Sequence, residues 1–235
     1  MKRYFFALKG EMRKLNRRKK YRALFVLFLL AYFIGRVTAY FTHVSSASAV
    51  AMGNGLLVFY LPLIAFLSVN DLIASEIRDR SIQQCLVRPL TRMEAYFAKL
   101  TAALIKCARQ AFCLIAIDSV LILSRLNAAS PLQAVYMLFD LIPLLTLIAF
   151  SALIAVVIQN SALSMLLTLV LYAGMHVAGS FFGVSPILFT SYLSWHGMLH
   201  GGLNAIGFIQ RFVVVTAPGV LFAVLGAIAL ERKRF

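Results

Sequence analysis

Leu144-Leu-Thr-Leu-Ile-Ala-Phe-Ser-Ala-Leu-Ile-Ala-Val-Val-Ile158 has no polar face, since only Thr146 and Ser151 interrupt an apolar surface that runs round the whole helical wheel. A helix apolar on all sides lies in a large core or in lipid. An outer-membrane strand would alternate apolar and polar residues over about ten positions; this stretch does not, nor does residues 21–33, so a β-barrel is excluded. Stretches of about 20 apolar residues, enough to cross roughly 30 Å of hydrocarbon, recur along the 235-residue chain. The hydrophobic set makes up 62% of it and charged residues 13%, and the mean hydropathy of +0.88 excludes a water-soluble core. The fold class expected is all-α and polytopic. Six spans are predicted, at about 22–41, 54–73, 97–125, 133–158, 162–182 and 209–230, each boundary to within two to four residues.

Charge orients these spans. The chain carries 23 Lys and Arg against 8 Asp and Glu, a net +15. In a soluble protein this would suggest nucleic acid; in a membrane protein it marks the cytoplasmic side, and no nucleic-acid partner is expected. Ten of the 23 cations fall in residues 1–22, the connection between the second and third spans holds Arg78, Arg80, Arg88 and Arg92, and Arg232, Lys233 and Arg234 lie near the end. The outer connections, about 42–53, 126–132 and 183–208, contain no Lys, Arg, Asp or Glu. Both termini are therefore predicted in the cytoplasm, as an even number of spans requires. The basic N-terminal region is too long for a cleavable signal and lacks a small-residue cleavage site. Cys85, Cys107 and Cys113 are odd in number and read as free thiols.

Residues 1–21 stand apart from the spans. On a helical wheel Tyr4, Phe5, Leu8, Met12 and Leu15 fall within one arc, opposite Lys2, Arg3, Lys9, Arg13, Lys14 and Arg17, with Phe6 on the basic side. The expectation is an interfacial helix, its apolar stripe at the headgroup boundary and its cations on anionic lipid; a disordered tail acting only as a topology signal is the alternative. The third span is longer than a bilayer needs and carries Lys99 and Lys106, seven apart, with Arg109 beyond. It is expected to begin in the cytoplasm, so that both lysines snorkel without burying charge.

The segment Ala74-Ser-Glu-Ile-Arg-Asp-Arg-Ser-Ile-Gln-Gln-Cys-Leu-Val-Arg-Pro-Leu-Thr-Arg-Met-Glu-Ala-Tyr-Phe-Ala-Lys99 mixes acids and bases around a short apolar pattern. Ile82, Cys85 and Leu86 have the spacing of one helical face, and Pro89 should end that helix. A short amphipathic helix between two spans has the form of a docking element. The segment resembles the cytoplasmic signature of ABC-2 type transporter permeases: Glu76 takes the acidic position at the end of the second span, Ser81 that of a Thr, Pro89 and Arg92 a Pro-x-x-Arg, and Lys99 the Lys of the third span. Arg80 stands where these permeases usually have Gly, and the ending Leu230-Glu-Arg-Lys-Arg-Phe235 differs from their usual Arg-Lys-Asp type.

That resemblance implies a permease subunit in a bacterial inner membrane, paired with a second copy or a related permease. Residues 74–96 would dock in a cleft of a separate cytoplasmic ABC ATPase, Glu76, Asp79 and Arg80 orienting the loop and residues 82–88, with Ile82 and Leu86, supplying contact area. No G-x-x-x-x-G-K-[ST] loop occurs in the chain, so ATP and Mg belong to the partner and no cofactor, metal or catalytic residue is assigned here. The family's outer re-entrant segment would correspond to residues 183–208. A solvated loop that only enforces topology is the alternative for 74–96.

Ionisable residues inside spans are functional candidates by default. Arg36, Asp118, Arg125, Asp140 and Arg211 all fall in the predicted outer half. Ion pairing between helices and a part in cargo passage or gating are both open. So is an intramembrane enzyme using Asp118 and Asp140, although cations at the same level would keep both acids ionised. His196 and His200 share a helical spacing but lack a third ligand nearby; His176 is expected to hydrogen-bond across a helix interface. Pro62, Pro143, Pro186 and Pro218 are candidate flexing points or static kinks. The uncharged outer connections favour a hydrophobic or amphipathic cargo such as a peptide antibiotic, drug or lipid.

Overall fold

The computed structural model describes residues 2–41, 46–79, 91–123, 141–158, 160–181, 189–192 and 205–232. Every element among them is helical: α1 (Lys2–Arg17), α2 (Lys19–Phe41), α3 (Ser46–Leu72), α4 (Ala74–Arg78), α5 (Arg92–Leu123), α6 (Leu141–Ile158), α7 (Ser161–Phe181), a 3-10 turn (Phe189–Tyr192) and α8 (Ala205–Arg232). Among the described residues four segments are long and apolar enough to cross a membrane, Phe59–Arg78, Leu141–Ile158, Ser161–Gly179 and Gly207–Arg232. The protein is a helical membrane protein.

The all-round apolar sequence of α6 has a physical outlet at the centre of the bundle. Twelve of its 18 residues are buried, and most of Phe59–Arg78 is buried with it, whereas Ser161–Gly179 and Gly207–Arg232 are mostly exposed. Leu163, Leu166 and Val170 of α7 and Val213, Val220 and Val224 of α8 form part of that outer surface. Water would penalise such a belt; lipid does not.

Lipid does not drive apolar helices together, so close backbone approach has to do so. The most extensive pairing is between α6 and α8, and Gly219 permits it: a Cβ there would lie 2.7 Å from Thr146 Oγ1. The Thr146 hydroxyl donates to the Val215 carbonyl at 2.7 Å, one residue from the carbonyl of Val214, which Pro218 leaves without its usual helix partner. Phe150, Phe222 and Phe189 pack ring on ring, which seats the 3-10 turn against α6 and α8. Phe28 stacks on Tyr60 with centroids 3.8 Å apart and ties α2 to α3. Pro62 and Pro218 are interior to helices. Pro143 sits in the first turn of α6, where a missing N–H costs no helix hydrogen bond; Pro186 lies outside the described residues.

The N-terminal helix departs from its expected seat. α1 packs mainly along α5, with Leu15 fully buried and Leu8 and Met12 half-buried against the core, so its apolar stripe faces protein rather than headgroups. Phe5 and Phe6 are left exposed at its start. The Tyr4 hydroxyl shares a 2.9 Å hydrogen bond with Thr101 Oγ1 of α5.

Candidate coupling site

The reason α1 docks on protein is on its own apolar face. Leu8, Glu11, Met12 and Leu15 follow the i, i+3, i+4, i+7 spacing of one face, so Glu11 stands in the middle of the stripe. A buried carboxylate needs a cation. α5 supplies Lys99, 2% exposed, whose ammonium is 3.3 Å from Glu11 Oε2 and 2.5 Å from Glu76 Oε2. Lys14 closes the group, 3.0 Å from Glu11 and 2.8 Å from Glu76. Two acids and two bases from α1, α4 and α5 thus neutralise one another.

A second group lies one helical turn and a half earlier in the chain. Asp71, at the end of α3, receives on Oδ2 Arg18, which lies between α1 and α2, at 2.8 Å and Lys20, in the first turn of α2, at 2.6 Å, and the Tyr21 hydroxyl donates to the same oxygen. The same hydroxyl lies 3.1 Å from the Leu67 carbonyl. Ile73 separates α3 from α4 while its amide still bonds to the Val69 carbonyl and its carbonyl to the Ile77 amide; Asp71 and Glu76, five residues apart, each meet a different part of the N-terminal segment. Burial pulls the Lys14 ammonium down, but Glu76 and Glu11 outweigh it and hold it above the ordinary lysine range.

The far end of the connecting segment is anchored independently. Thr91 and Glu94 form a reciprocal capping box, Glu94 Oε2 accepting from the Thr91 amide at 2.9 Å and Thr91 Oγ1 from the Glu94 amide at 3.2 Å, which satisfies two donors at the start of α5. Arg92 donates to the Glu231 carbonyl at 3.0 Å, a cation at the negative end of α8. Gly226 of α8 lies against Tyr96 of α5 so closely that a Cβ there would overlap the hydroxyl. Both approaches to residues 80–90 are therefore held by side chains of other helices.

A family model for ABC-2 family transporter proteins matches residues 7–174. The chain belongs to that family. The match takes in α1 from residue 7, α2 to α6 and most of α7, and with them both acid–base groups, while Glu231 lies beyond it. No curated protein matches the chain. Membership in the ABC-2 family makes the protein a membrane component of a transporter, and places the chain with transport rather than with intramembrane proteolysis.

In this ABC-2 permease the residues singled out by sequence separate into three groups. Glu76 and Arg92 lie in the anchored ends described above; Asp79 is exposed and pairs with its neighbour Arg78 at 3.0 Å. Arg80, Ser81, Ile82, Leu86 and Pro89 lie outside the described residues, as do Arg125, Asp140, His196 and His200. Arg36 falls within α2 and Asp118 within α5, while Arg211 is half-buried on α8. His176 stacks on Tyr172 one turn earlier in α7. Cys107 and Cys113 are free thiols, the first buried and the second exposed.

Two expectations are corrected by the geometry. Lys99 and Lys106 do not snorkel: each is 2% exposed, because α1 covers the face of α5 on which they stand. Lys14, expected on anionic lipid, pairs instead with Glu11 and Glu76, and Glu11 and Asp71 join the site from outside the linear pattern of the loop. The signal for them was present, since Glu11 is the single acid in the first 70 residues and falls on an apolar face, and Asp71 closes a span of apolar residues.

Proposed function

We propose that the protein is the membrane-spanning permease subunit of an ATP-driven exporter, with six spans, both termini on the cytoplasmic side of a bacterial inner membrane, and residues 74–96 as the element on which a separate ABC ATPase acts. One observation carries this reading: the loop is gripped at both ends, by the Glu76–Lys99–Lys14–Glu11 group on one side and by Arg92 on Glu231 with the Thr91–Glu94 box on the other. A displacement applied to the loop is then delivered to α1, α3, α5 and α8 together rather than absorbed in a slack connection. Packed, bistable helix contacts convert such small displacements into discrete rearrangements.

In this reading ATP and Mg sit on the partner, and a second copy or a related permease completes the membrane unit. Residues 183–208 form the outer re-entrant segment. The exposed Arg3, Lys9, Arg13 and Arg17 of α1 face anionic headgroups. The cargo is hydrophobic or amphipathic, in keeping with outer connections that bear no charge.

The test is to purify the tagged chain from its native membrane in mild detergent, identify the co-purifying ATPase, and compare ATP hydrolysis with that of a Glu76→Ala, Arg92→Ala variant. An ATPase that accompanies the wild type and is no longer stimulated by the variant supports the reading. Absence of any nucleotide-binding partner under several gentle conditions overturns it.

A further inference from the structure

Where α1 and α5 meet the start of α2, three cations gather, and among the described residues no acid pairs with Lys106 at their centre. Lys106 of α5 is buried, its ammonium 5.4 Å from the centre of the Tyr21 ring of α2. Among the described residues no hydrogen bond or ion pair reaches that ammonium, and a ring face compensates a buried cation only in part. Arg109, exposed one turn along α5, reaches Asn16 of α1 at 2.9 Å, and Arg22 is exposed on α2 beside Tyr21. Arg109 follows Lys106 by three residues on α5, and Arg22 follows the tyrosine over whose ring Lys106 lies, so both cations stand on its side of the cluster.

The acids that could neutralise the group are engaged. Asp71 is held by Arg18, Lys20 and Tyr21, Glu11 and Glu76 by Lys14 and Lys99, and Asp79 by Arg78. Asp118 stands twelve residues further along α5, about 18 Å away along the axis. Two guanidiniums beside one buried ammonium therefore call for an external anion. Two guanidiniums offer planar donor forks suited to phosphate oxygens. One turn beyond Arg22 and Arg109, Val26, Leu27 and Phe112 are exposed and apolar, so the space beside the cations continues into a surface fit for acyl chains.

We propose that Arg22, Lys106 and Arg109 hold the phosphate of an anionic phospholipid of the inner leaflet, with its chains along Val26 and Phe112. This is a discrete site, distinct from the diffuse attraction of the α1 cations. It rests on the membrane placement of the chain but not on the ATPase partner, and it is measured with the permease chain alone, so failure of either idea is recognised separately.

The full chain is placed in nanodiscs of phosphatidylcholine or phosphatidylglycerol, and retained lipid is counted by native mass spectrometry alongside the thermal midpoint. Wild type should retain phosphatidylglycerol in preference and melt higher in its presence. Lys106→Met with Arg109→Gln should retain it about fivefold less or weaker still, given the pull of one cation on an anionic membrane, and should melt alike in both discs. Lys9→Gln, on the exposed face of α1, should weaken only the diffuse attraction of that helix: it should still melt higher in phosphatidylglycerol and retain more of it than the Lys106 variant. Should the Lys106 variant fail to fold, Arg22→Gln with Arg109→Gln, both exposed, gives the same readout. Undiminished retention in these variants, or no preference in the wild type, overturns the proposal. So does equal protection by soluble glycerol phosphate in phosphatidylcholine discs, which would assign the site to a free phosphate ester.

Discussion

Lys99 and Glu76, 23 residues apart on either side of the charged loop, meet as a buried ion pair with an N–O distance of 2.5 Å. Neither has an apolar substitute among its partners: Lys99 also serves Glu11, and Glu76 also receives Lys14. Removing one member of such a group leaves a buried charge without its counterpart, which costs far more than the pair is worth against an apolar replacement of both.

Lys99→Met is accordingly expected to destabilise the protein by about 3–5 kcal/mol. Lys14→Met should cost less than that, because the Lys14 side chain is 41% exposed and Lys99 still stands between Glu11 and Glu76 to neutralise one of them. Thermal unfolding of the two variants in detergent checks the order; equal losses would mean that burial is not what makes Lys99 matter.

Gly226→Ala should also be costly, by about 1–3 kcal/mol, since the added methyl group collides with Tyr96 in a packed interface. Tyr96→Phe alone should be nearly neutral, because its buried hydroxyl has no hydrogen-bond partner among the described residues. Combining the two should recover part of the Gly226→Ala loss, and a strictly additive double variant would show that the two residues do not touch.

Arg92→Ala removes the donor at the Glu231 carbonyl and should weaken transmission from the loop to α8. The expected result is a fall in ATPase stimulation by the permease that exceeds the loss of thermal stability. Arg92→Lys should restore part of it, as a cation near the C-terminus of α8 still meets the helix dipole.

The pH dependence of α1 docking follows from Lys14. Its ammonium is held above the ordinary value of 10.5 by Glu76 and Glu11, so its contribution is complete below that value and lost as pH rises through the folded-state value. A distance probe between α1 and α5 should therefore be flat from pH 6 to about pH 10 and report detachment only in stronger alkali. Lys14→Met should remove the Lys14 share of that alkaline change.

How far the site was legible depended on which interactions are local. Glu76, Arg92 and Lys99 could be placed from a linear pattern, because the two spans that flank the loop bring its ends together. Glu11 was visible as an acid on an apolar face, but its partner Lys99 is 88 residues away, and periodicity along one helix carries no information about which helix covers it. Lys106 was read as a snorkelling cation for the same reason: the reading assumed solvent on a face that α1 occupies.

Amphipathicity, charge asymmetry and apolar length are properties of single segments, and from these the chain alone determined an all-helical membrane protein, an amphipathic α1 and a charged connecting loop. Which apolar segment lies at the centre and which faces lipid was decided by packing. α6 and α7 are both apolar, yet α6 is enclosed because Gly219 lets α8 approach its Thr146, while α7 keeps an open face. Tertiary structure alone likewise decided that the stripe of α1 meets α5 rather than lipid, since burying Glu11 is tolerable only where Lys99 and Lys14 already stand to neutralise it.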